Sequence, residues 1–559
     1  MRVLTCGADA LLVEVADLDA AGQLYAHLRT APPPGVVALV PAARTVLVRF
    51  DPTRTDLHRL RRLLADPPPP TTTTTTRVGT GPSDAVRLDG AAGEAGDLPT
   101  VTVPVRYDGP DLAEVARLSG LTPAQVIDRH IRGTHRVAFC GFAPGFAYVS
   151  GLDPDLHLPR RDSPRTRVPA GAVAIADQFT GIYPRTSPGG WHLIGRTDLA
   201  VFDLDREQPA LLPPGTPVRF VAVDLPATTL AAPVPPTTAV PVDDSRAAST
   251  GSTGVGIARA RSATITVVSP GPLATIQDLG RTGLAHLGVT AAGALDRPSL
   301  RLANRLVGNR ASAAGIECTY GGLVVTFDTS GLIAVTGAPC PMTLAGRAIG
   351  MNSPVEVPAG AQLRIGPPGQ DARTGGLADP RAAGVRTYLA IRGGLDVPPV
   401  LGSRSRDTLA GLGPAPLAAG DVLPLGPAHA APPVVDLAPQ ARYRATPTLR
   451  VIPGPRDDWF TPDALATLWA STYEVSADSD RIGIRLRGPA LARHVTGELP
   501  SEGMVVGGIQ IPPDGQPVVF LADHPVTGGY PVIGVLTPDD LPLAAQCRPG
   551  QHLRFTRAQ

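Results

Sequence analysis

The polar residues best suited to chemistry lie near the C-terminal end of this 559-residue chain. Carboxylates, amides and one histidine fall within about thirty residues of alternating strand and turn, which a barrel would bring to one mouth. A carboxylate beside a histidine can move protons or hold a metal, so Glu502, Asp523 and His524 are the candidate catalytic residues. An exposed turn is the alternative for Asp523 and His524, and no metal ligands are assigned. Candidate binding residues in the same stretch are Gln510, Gln516, Gly528, Gly529 and Tyr530.

A second cluster lies in the first half, where residues 139–148 combine four aromatic side chains with Gly and Pro turns and several arginines follow. Backbone N–H groups and aromatic faces could hold a small ligand, while arginines bind carboxylate or phosphate oxygens in pairs. A buried turn beside a solvated basic stretch is the alternative. The candidate binding residues here are Phe142, Pro144, Gly145, Arg160, Arg167, Gly189, Gly190 and Trp191.

Arginine-bearing turns recur through the second half, several beside a carboxylate. Such loops can cradle oxyanions, although any one of them alone would more often be structural. Together they predict an anion-binding cleft. The candidate residues are Gln277, Asp278, Arg281, Asp296, Asn304, Arg392, Gly394, Ser403, Arg404, Ser405, Asp480 and Arg481.

The chain contains no lysine, so all 50 basic residues are arginine. A Walker A loop, a Schiff base and the lysine-dependent serine amidases are therefore excluded. Biotin cannot be attached either, because it is carried on a lysine amine. The net charge of +1 gives no basic field for nucleic acid or a membrane surface, so neither is expected as a partner.

The five cysteines are scattered without a CxxC pair, which predicts neither a disulfide framework nor a structural zinc site. The first residues carry several acidic side chains, and no apolar run is long enough to span a bilayer. We expect a cytoplasmic protein.

Composition divides the chain into mainly β units with a small α+β module in front. Short alternating runs broken by Gly and Pro every 8–12 residues are typical of β-barrels, and Thr-, Pro- and Gly-rich stretches are typical of linkers. The expected units are an α+β module at 1–70, a linker at 71–98, a barrel at 99–226, a linker at 227–262, and two barrel halves at 263–445 and 446–559.

An internal repeat supports this organisation. PGGWHLIG at 188–195 parallels TGGYPVIG at 527–534, and a Gly-bearing turn precedes each, at 168–171 and 500–503. One barrel type is therefore predicted to occur twice, and a site between related barrels is plausible because ligand pockets favour domain interfaces.

At these residues the chain resembles known proteins. GFAPGFAYVSG at 141–151 and the segment through PGGWHLIG resemble the B subunit of prokaryotic 5-oxoprolinase, a protein type also known as a sporulation kinase inhibitor. TIQDLGRTG at 275–283, YLAIRGGLD at 388–396, SDRIGIRLRG at 479–488 and the segment from 501 to 534 resemble the C subunit, which is grouped with biotin-dependent carboxyltransferases.

The resemblance implies repeated cyclophilin-like β-barrels and a fused pair of subunits. It further implies activation of 5-oxo-L-proline by ATP with Mg²⁺, and a separate A subunit that completes hydrolysis to L-glutamate. In that setting Arg281, Arg392, Arg404 and Arg481 would hold phosphate or the substrate carboxylate, and Glu502 with Asp523 would handle a proton or a metal.

Two other functions remain open: a regulatory module that inhibits a histidine kinase, and a carboxyltransferase half-enzyme that uses a separate biotin carrier. Fusion favours the enzyme, because fixed stoichiometry mainly helps a shared site. The sequence leaves open which half binds ATP, which small lactam or amide is the substrate, and whether the chain forms a homo-oligomer.

Overall fold

The computed structural model describes residues 1–65, 98–223, 263–369, 384–428 and 430–558. All of the predicted linker at 227–262, and all but the last residue of the one at 71–98, lie outside these ranges. The mainly β architecture with a small α+β module in front is confirmed.

The N-terminal module is a four-stranded antiparallel sheet with two helices on one face. Because strand side chains alternate between faces, Leu11 and Val13 pack on the helices while Ala10 and Leu12 face the C-terminal part of the chain. The sheet order is β1-β2-β4-β3. The elements are β1 (Arg2–Thr5), β2 (Ala10–Glu14), α1 (Leu18–Thr30), β3 (Val36–Pro41), β4 (Thr45–Phe50) and α2 (Leu57–Ala65).

The first barrel follows, with two helices at its start. The second of these helices begins at a capping box, in which Gln125 N donates to the Thr122 hydroxyl oxygen and Thr122 N donates to Gln125 Oε1. The elements are β5 (Val101–Val105), α3 (Leu112–Ser119), α4 (Pro123–Arg132), β6 (His135–Cys140), β7 (Ala147–Ser150), β8 (Arg165–Val168), β9 (Ala172–Ala176), β10 (Phe179–Ile182), β11 (Ser187–Gly189), β12 (His192–Arg196) and β13 (Pro217–Ala222).

The middle unit consists of two sheets that enclose one apolar core, with one helix packed on β18 and β23. The elements are β14 (Thr264–Pro270), β15 (Leu273–Gln277), α5 (Arg297–Leu306), β16 (Gly315–Thr319), β17 (Leu323–Phe327), β18 (Gly331–Gly337), β19 (Met342–Leu344), β20 (Arg347–Ile349), β21 (Val355–Val357), β22 (Gln362–Ile365), β23 (Arg386–Ile391) and β24 (Val422–Pro424).

The C-terminal unit is a closed barrel of seven strands. Its inner face carries a separate apolar core, onto which α6 also packs. The elements are β25 (Thr448–Pro453), α6 (Pro462–Ala470), β26 (Thr472–Val475), β27 (Gly483–Arg487), β28 (Glu502–Gly503), β29 (Gly508–Gln510), β30 (Val518–Phe520), β31 (Thr527–Gly528), β32 (Val532–Leu536), α7 (Leu541–Ala545) and β33 (His552–Arg557).

The first barrel and the C-terminal barrel share one strand order. The sequence β12-β9-β10-β7-β6-β13-β5 matches β32-β29-β30-β27-β26-β33-β25, and β5/β13 and β25/β33 are the parallel pairs. A bulge interrupts the pairing of β12 and of β32 at the same point of the matched segments. The predicted repeat is therefore confirmed.

The Gly-bearing turns upstream correspond differently from the prediction. Val168 pairs with Ser187, and Met504 N donates to Val526 O at the matching place. Val168–Gly171 thus corresponds to Met504–Gly507, four residues after the predicted 500–503. Gly171 and Gly507 share a positive φ, 78° and 81°. The prediction was wrong because a lone glycine in a short match does not define a register, whereas ladder hydrogen bonds do.

Within the described ranges, no helix is long and apolar enough to cross a lipid bilayer.

Candidate active site at the junction of the two halves

The loop 402–408 of the middle unit wraps around the carboxylate of Asp278. Oδ1 accepts hydrogen bonds from the hydroxyls of Ser403 at 2.7 Å and Ser405 at 2.5 Å, and from Gly280 N at 2.7 Å. Oδ2 accepts from Arg404 N at 2.7 Å. Four donors surround one carboxylate, so residues that the sequence placed in two separate motifs form one hydrogen-bonded turn.

Two buried polar atoms beside this turn have no hydrogen-bond partner. Arg281 donates from Nη2 to Ser405 O at 2.6 Å, but its Nη1 has no partner, and neither has Gln277 Oε1. Burial lowers the pKa of the Arg281 guanidinium. Unpaired buried polar atoms are costly, and at a functional site they indicate a place that a ligand or water completes.

Two buried carboxylates, Asp407 and Asp523, lie next to this turn. Asp407 accepts from the Thr290 hydroxyl and from Ala410 N, both at 2.8 Å. Burial, followed by the negative charge of Asp523, raises the pKa of Asp407. Asp523 is 0% exposed and accepts the Thr408 hydroxyl at 2.7 Å. The sequence had allowed Asp523 to lie in an exposed turn. The structure shows that it is buried instead.

Arg481 connects these carboxylates to the middle unit. Its Nε and Nη2 each lie 3.0 Å from an oxygen of Asp523, and Nη1 donates to Glu317. Glu317 also accepts the Tyr388 hydroxyl at 2.8 Å and Leu295 N at 3.0 Å. Arg481 therefore has protein partners for its whole guanidinium, and its ion pair with Glu317 joins the C-terminal barrel to the middle unit.

The first half of the chain reaches the same junction. Arg185, in the turn after β10, donates to Leu409 O, and the charge of Asp407 acts on it. Phe142 N donates to the Thr527 hydroxyl at 3.2 Å, and Gly145 N donates to Leu287 O at 2.9 Å. The site is thus built from both halves.

The aromatic loop of the first barrel is tightly shaped. Phe142 has a φ of 63°, which is uncommon for a residue with a side chain and marks local strain. The Phe146 ring packs edge-on against Trp191 at 5.3 Å, so Trp191 belongs to the aromatic core. A Cβ at Gly189 would meet Tyr183 Cε1 at 2.8 Å, which explains the glycine there. Pro144 is also buried.

Glu502 is held by an arginine between the N-terminal module and the C-terminal barrel. Arg456 Nε lies 3.1 Å from both Glu502 oxygens, and Arg456 Nη2 donates to Glu14 at 2.8 Å. Burial raises the pKa of Glu502. This arrangement favours a tethering role for Glu502.

The first barrel has the same tether with reversed charges. Asp111 N donates to Leu193 O as Arg456 N donates to Val532 O, so Asp111 and Arg456 are equivalent positions. Asp111 pairs with Arg165 of β8 at 2.7 Å. An ion pair at this position is therefore a feature of the barrel, whichever charge lies on which strand.

His524 is buried against Phe520, with a ring distance of 5.8 Å. Its Nδ1 lies 2.7 Å from Pro525 O, so Nδ1 carries the proton and Nε2 is the free basic nitrogen. Burial lowers the pKa of His524 to about 4. The imidazole is neutral near pH 7.

We expect this histidine to make stability depend on pH. Its folded-state pKa lies below the ordinary 6.5, so the unfolded chain binds the proton more tightly. The stability it contributes is complete above about pH 6.5 and is lost as pH falls toward about 4, by on the order of 3 kcal/mol. Urea midpoints at pH 7.5 and 4.5 should therefore differ less in His524→Gln than in the wild type. A similar reduction in His58→Gln, at an exposed helix position, would contradict this origin.

Several predicted residues lie away from the junction. Asn304 and Asn309 bond to each other and to the backbone near Gly394, and Arg392 donates to Ala430 O. Asp296 caps α5 and binds Gln546 at 2.8 Å. Arg404 donates its backbone N–H to Asp278, but its side chain pairs with Asp396 at 2.7 Å and not with a group of the junction.

The remaining candidates lie at the rims of the two barrels. Arg160 and Arg167 are exposed on the first barrel. Gln510 donates to Tyr530 O at 3.0 Å beside Gly528 and Gly529, Gln516 bonds Gly488, and Asp480 accepts from Ile482 N at 2.8 Å.

Sequence reasoning missed four residues of the junction. Asp407 closes the arginine-bearing turn that supplied the candidates Ser403, Arg404 and Ser405 but was not itself selected, and Thr408 is the next residue. Glu317 lies in a strand and Arg185 in a turn whose sequences carry no recognisable motif. Only their contacts with Arg481 and Leu409 show that they belong to the junction.

The described residues offer little to a bare metal ion, since no group of three or more His, Cys, Asp or Glu side chains is arranged to hold one. Arg281 Nη1 and Arg185 Nε have no hydrogen-bond partner, and guanidinium N–H groups suit the oxygens of an anionic ligand.

Comparison with known proteins places both halves. The family model described as carboxyltransferase domain, subdomain C and D, matches residues 1–212, and the one described as subdomain A and B matches 287–557. The chain is 36% identical over 294 residues to the 5-oxoprolinase C subunit of Escherichia coli K12, covering 52% of this chain and 90% of that protein. It is 50% identical over 124 residues to the 5-oxoprolinase B subunit of Escherichia coli O157:H7, covering 22% of this chain and 57% of that protein.

One solved structure matches nearly the whole molecule. The crystal structure of TTHA0988 superimposes with a TM-score of 0.78 at 36% identity, covering 98% of this chain and 99% of that one. Both halves and their junction are therefore shared with a known fold. The chain belongs to the carboxyltransferase-domain family that includes the B and C subunits of 5-oxoprolinase, and it spans both of them.

Proposed function

We propose that this chain is the combined B and C component of an ATP-dependent 5-oxoprolinase. It activates 5-oxo-L-proline with ATP and Mg²⁺, and a separate A subunit then completes hydrolysis to L-glutamate. The similarity of its two halves to the B and C subunits of 5-oxoprolinase supports this proposal. The observation that carries it is the junction itself, where Arg185 of the first half donates to Leu409 O, in the loop of the second half that also carries Asp407.

Opening an unstrained lactam is uphill near neutral pH, so coupling to ATP has a clear physical role. Transfer of the γ-phosphoryl group to the lactam oxygen would release ADP and make the ring carbon more electrophilic. Water could then add at that carbon, the ring C–N bond would break with protonation of the nitrogen, and phosphate would be released by hydrolysis. In this proposal Arg281 and Arg185 orient anionic oxygens through their unpaired N–H groups. Asp407, whose pKa is raised, is the cluster residue best suited to hold and exchange a proton.

The test combines the purified chain with its cognate A subunit, ATP, Mg²⁺ and 5-oxo-L-proline, and measures ADP and L-glutamate. We expect ADP formation that depends on 5-oxo-L-proline. Its absence with an active A subunit present would overturn the proposal. The family model's carboxyltransferase description motivates a second arm, in which turnover that requires bicarbonate and a biotin carrier would identify that activity instead.

Arg185→Ala tests whether the junction is the active site. The substitution removes a guanidinium whose positive charge acts on Asp407. We therefore expect ADP formation to fall at least tenfold while the melting temperature changes little. Arg219→Ala is the matched control, because Arg219 is exposed on β13 and its side chain bonds Thr102 of the neighbouring strand. Equal activity in both variants would place the reaction elsewhere.

A further inference from the structure

Helix α5 carries a row of arginines on the side that faces away from its buried residues. Arg297, Arg301 and Arg305 recur every four residues, so they lie along one stripe of the helix. The opposite side packs on β18 and β23 of the same unit. Arg301 and Arg305 are exposed. Like charges four residues apart destabilise a helix, so helix stability does not account for this row.

The arginine row has no ion-pair partner within the part of the chain that the structure describes. Arg297 Nη2 donates to Ala292 O at 3.2 Å. Burial, followed by the positive charges of Arg49 and Arg301, lowers the pKa of the Arg297 guanidinium. The whole chain has a net charge of only +1, so this excess of positive charge is local. It remains available to a group outside the chain.

A segment beside α5, residues 430–440, adds apolar side chains to this surface. Val435 and Ala438 pack against the same apolar cluster as α5. Val434 and Leu437 instead point to solvent, with exposed fractions of 103% and 68%. Among the large hydrophobic side chains in the described ranges, these two are the most exposed.

Hydrogen bonds hold this segment in place at both ends. Arg392 Nη2 donates to Ala430 O at 2.9 Å, and Ala438 N donates to Asn352 O at 2.8 Å. Asn352 Nδ2 also donates to Gln440 Oε1 at 2.9 Å. The two exposed apolar side chains therefore project from an anchored backbone, where they leave apolar surface in water. Arginines beside apolar side chains are typical of protein–protein interfaces.

We propose that the α5 patch, formed by Arg301, Arg305, Val434 and Leu437, is a docking surface for a protein that presents carboxylates around apolar side chains. That this protein is the separate A subunit rests on the proposed function. Asp436 is exposed between the two apolar residues and forms no ion pair with these arginines. A second copy of the chain fits less well, because a two-fold contact through the patch would bring the arginine rows together.

Biolayer interferometry of the full chain against the purified cognate A subunit, at low and at physiological ionic strength, tests the proposal. Arg301→Glu combined with Arg305→Glu reverses the charge, and Leu437→Asp places a charge at the apolar centre. We expect each change to raise Kd at least tenfold. Charge reversal should act mainly by slowing association and should reduce the salt dependence of binding, because salt screens exposed charges. Leu437→Asp should act mainly by accelerating dissociation.

Arg364→Glu on β22 and Leu204→Asp are the matched controls, because both positions are exposed, and they should bind as the wild type does. All of these changes affect exposed side chains, so melting temperatures should stay near that of the wild type. No wild-type binding at micromolar concentration, or unchanged binding in both patch variants, would overturn the proposal. A wild-type homodimer that the charge reversal dissociates in analytical ultracentrifugation would also overturn it, because the patch would then bind a second copy.

The docking surface and the proposed function fail separately. Turnover with the A subunit, while the patch variants bind that subunit as the wild type does, sinks the docking surface alone. Binding of the A subunit through the patch, without ADP formation that depends on 5-oxo-L-proline, sinks the proposed function alone.

Discussion

Replacing Arg481 with leucine is expected to destabilise the C-terminal barrel by about 3–5 kcal/mol. The arginine neutralises Asp523 and Glu317, both within the protein interior. Its loss leaves Asp523 with only the neutral donors of Thr408, and leaves Glu317 with Arg386 at 3.9 Å as its one cation. Urea unfolding followed by tryptophan fluorescence suits the measurement, because Trp459 and Trp469 pack against the core of that barrel.

Arg487→Leu is the control for this change. Its guanidinium is 71% exposed and lies 3.7 Å from an equally exposed Asp478, so its removal should cost less than about 1 kcal/mol. Similar midpoints for the two variants would show that the buried network contributes little. The triple change Arg481→Leu, Asp523→Leu and Glu317→Leu should recover part of the loss, since it removes the desolvation penalty of these three charges and leaves only Arg386 charged.

Gly141→Ala is expected to displace the aromatic loop of the first barrel from the C-terminal barrel. A Cβ at this position would clash with the Thr527 hydroxyl and meet Thr527 Cγ2 at 2.8 Å. We expect a loss of about 1–3 kcal/mol in stability. ADP formation with the A subunit should fall at least tenfold, because Phe142 N would no longer reach Thr527.

Gly22→Ala provides the matched control, because a Cβ there meets nothing within 4 Å and the position lies inside α1. Its stability should rise slightly, as alanine is favoured over glycine in helices. Adding Thr527→Gly to Gly141→Ala should restore part of the stability if the clash is the cause. An additive double variant would contradict that explanation.

Individual helices and strands could be predicted from short stretches of the sequence. The Thr122 cap with Pro123 marks a helix start through hydrogen bonds within four residues. The run Thr45–Phe50 forms strand β4, and its side chains are buried on both faces except at Arg49, because the sheet packs on helices on one side and on the C-terminal part of the chain on the other. The repeat was recognisable from the similarity of PGGWHLIG and TGGYPVIG. The alignment of the turns upstream of these segments could be determined only from the hydrogen bonds between strands.

The site was readable only in part. Asp278, Ser403, Ser405, Arg281, Arg481 and Asp523 were all candidates, and they do meet. Their roles within one network were not visible, because a sequence does not show that Arg481 faces Glu317, 164 residues away. Arg392 and Asn304 were also candidates, on the same kind of evidence, but in the structure they bond to nearby backbone carbonyls and lie outside this network.

By itself, the sequence determined the chemistry that is possible. A chain without lysine must handle anions with arginine and backbone N–H groups, and its Gly- and Pro-broken alternation determined a mainly β architecture. Tertiary structure decided which arginines remain available. Burial and pairing are long-range: Arg481 and Arg456 are consumed by buried carboxylates, while Arg281 and Arg185 retain unpaired N–H groups. A charge can serve a ligand only where the fold has left it without a partner.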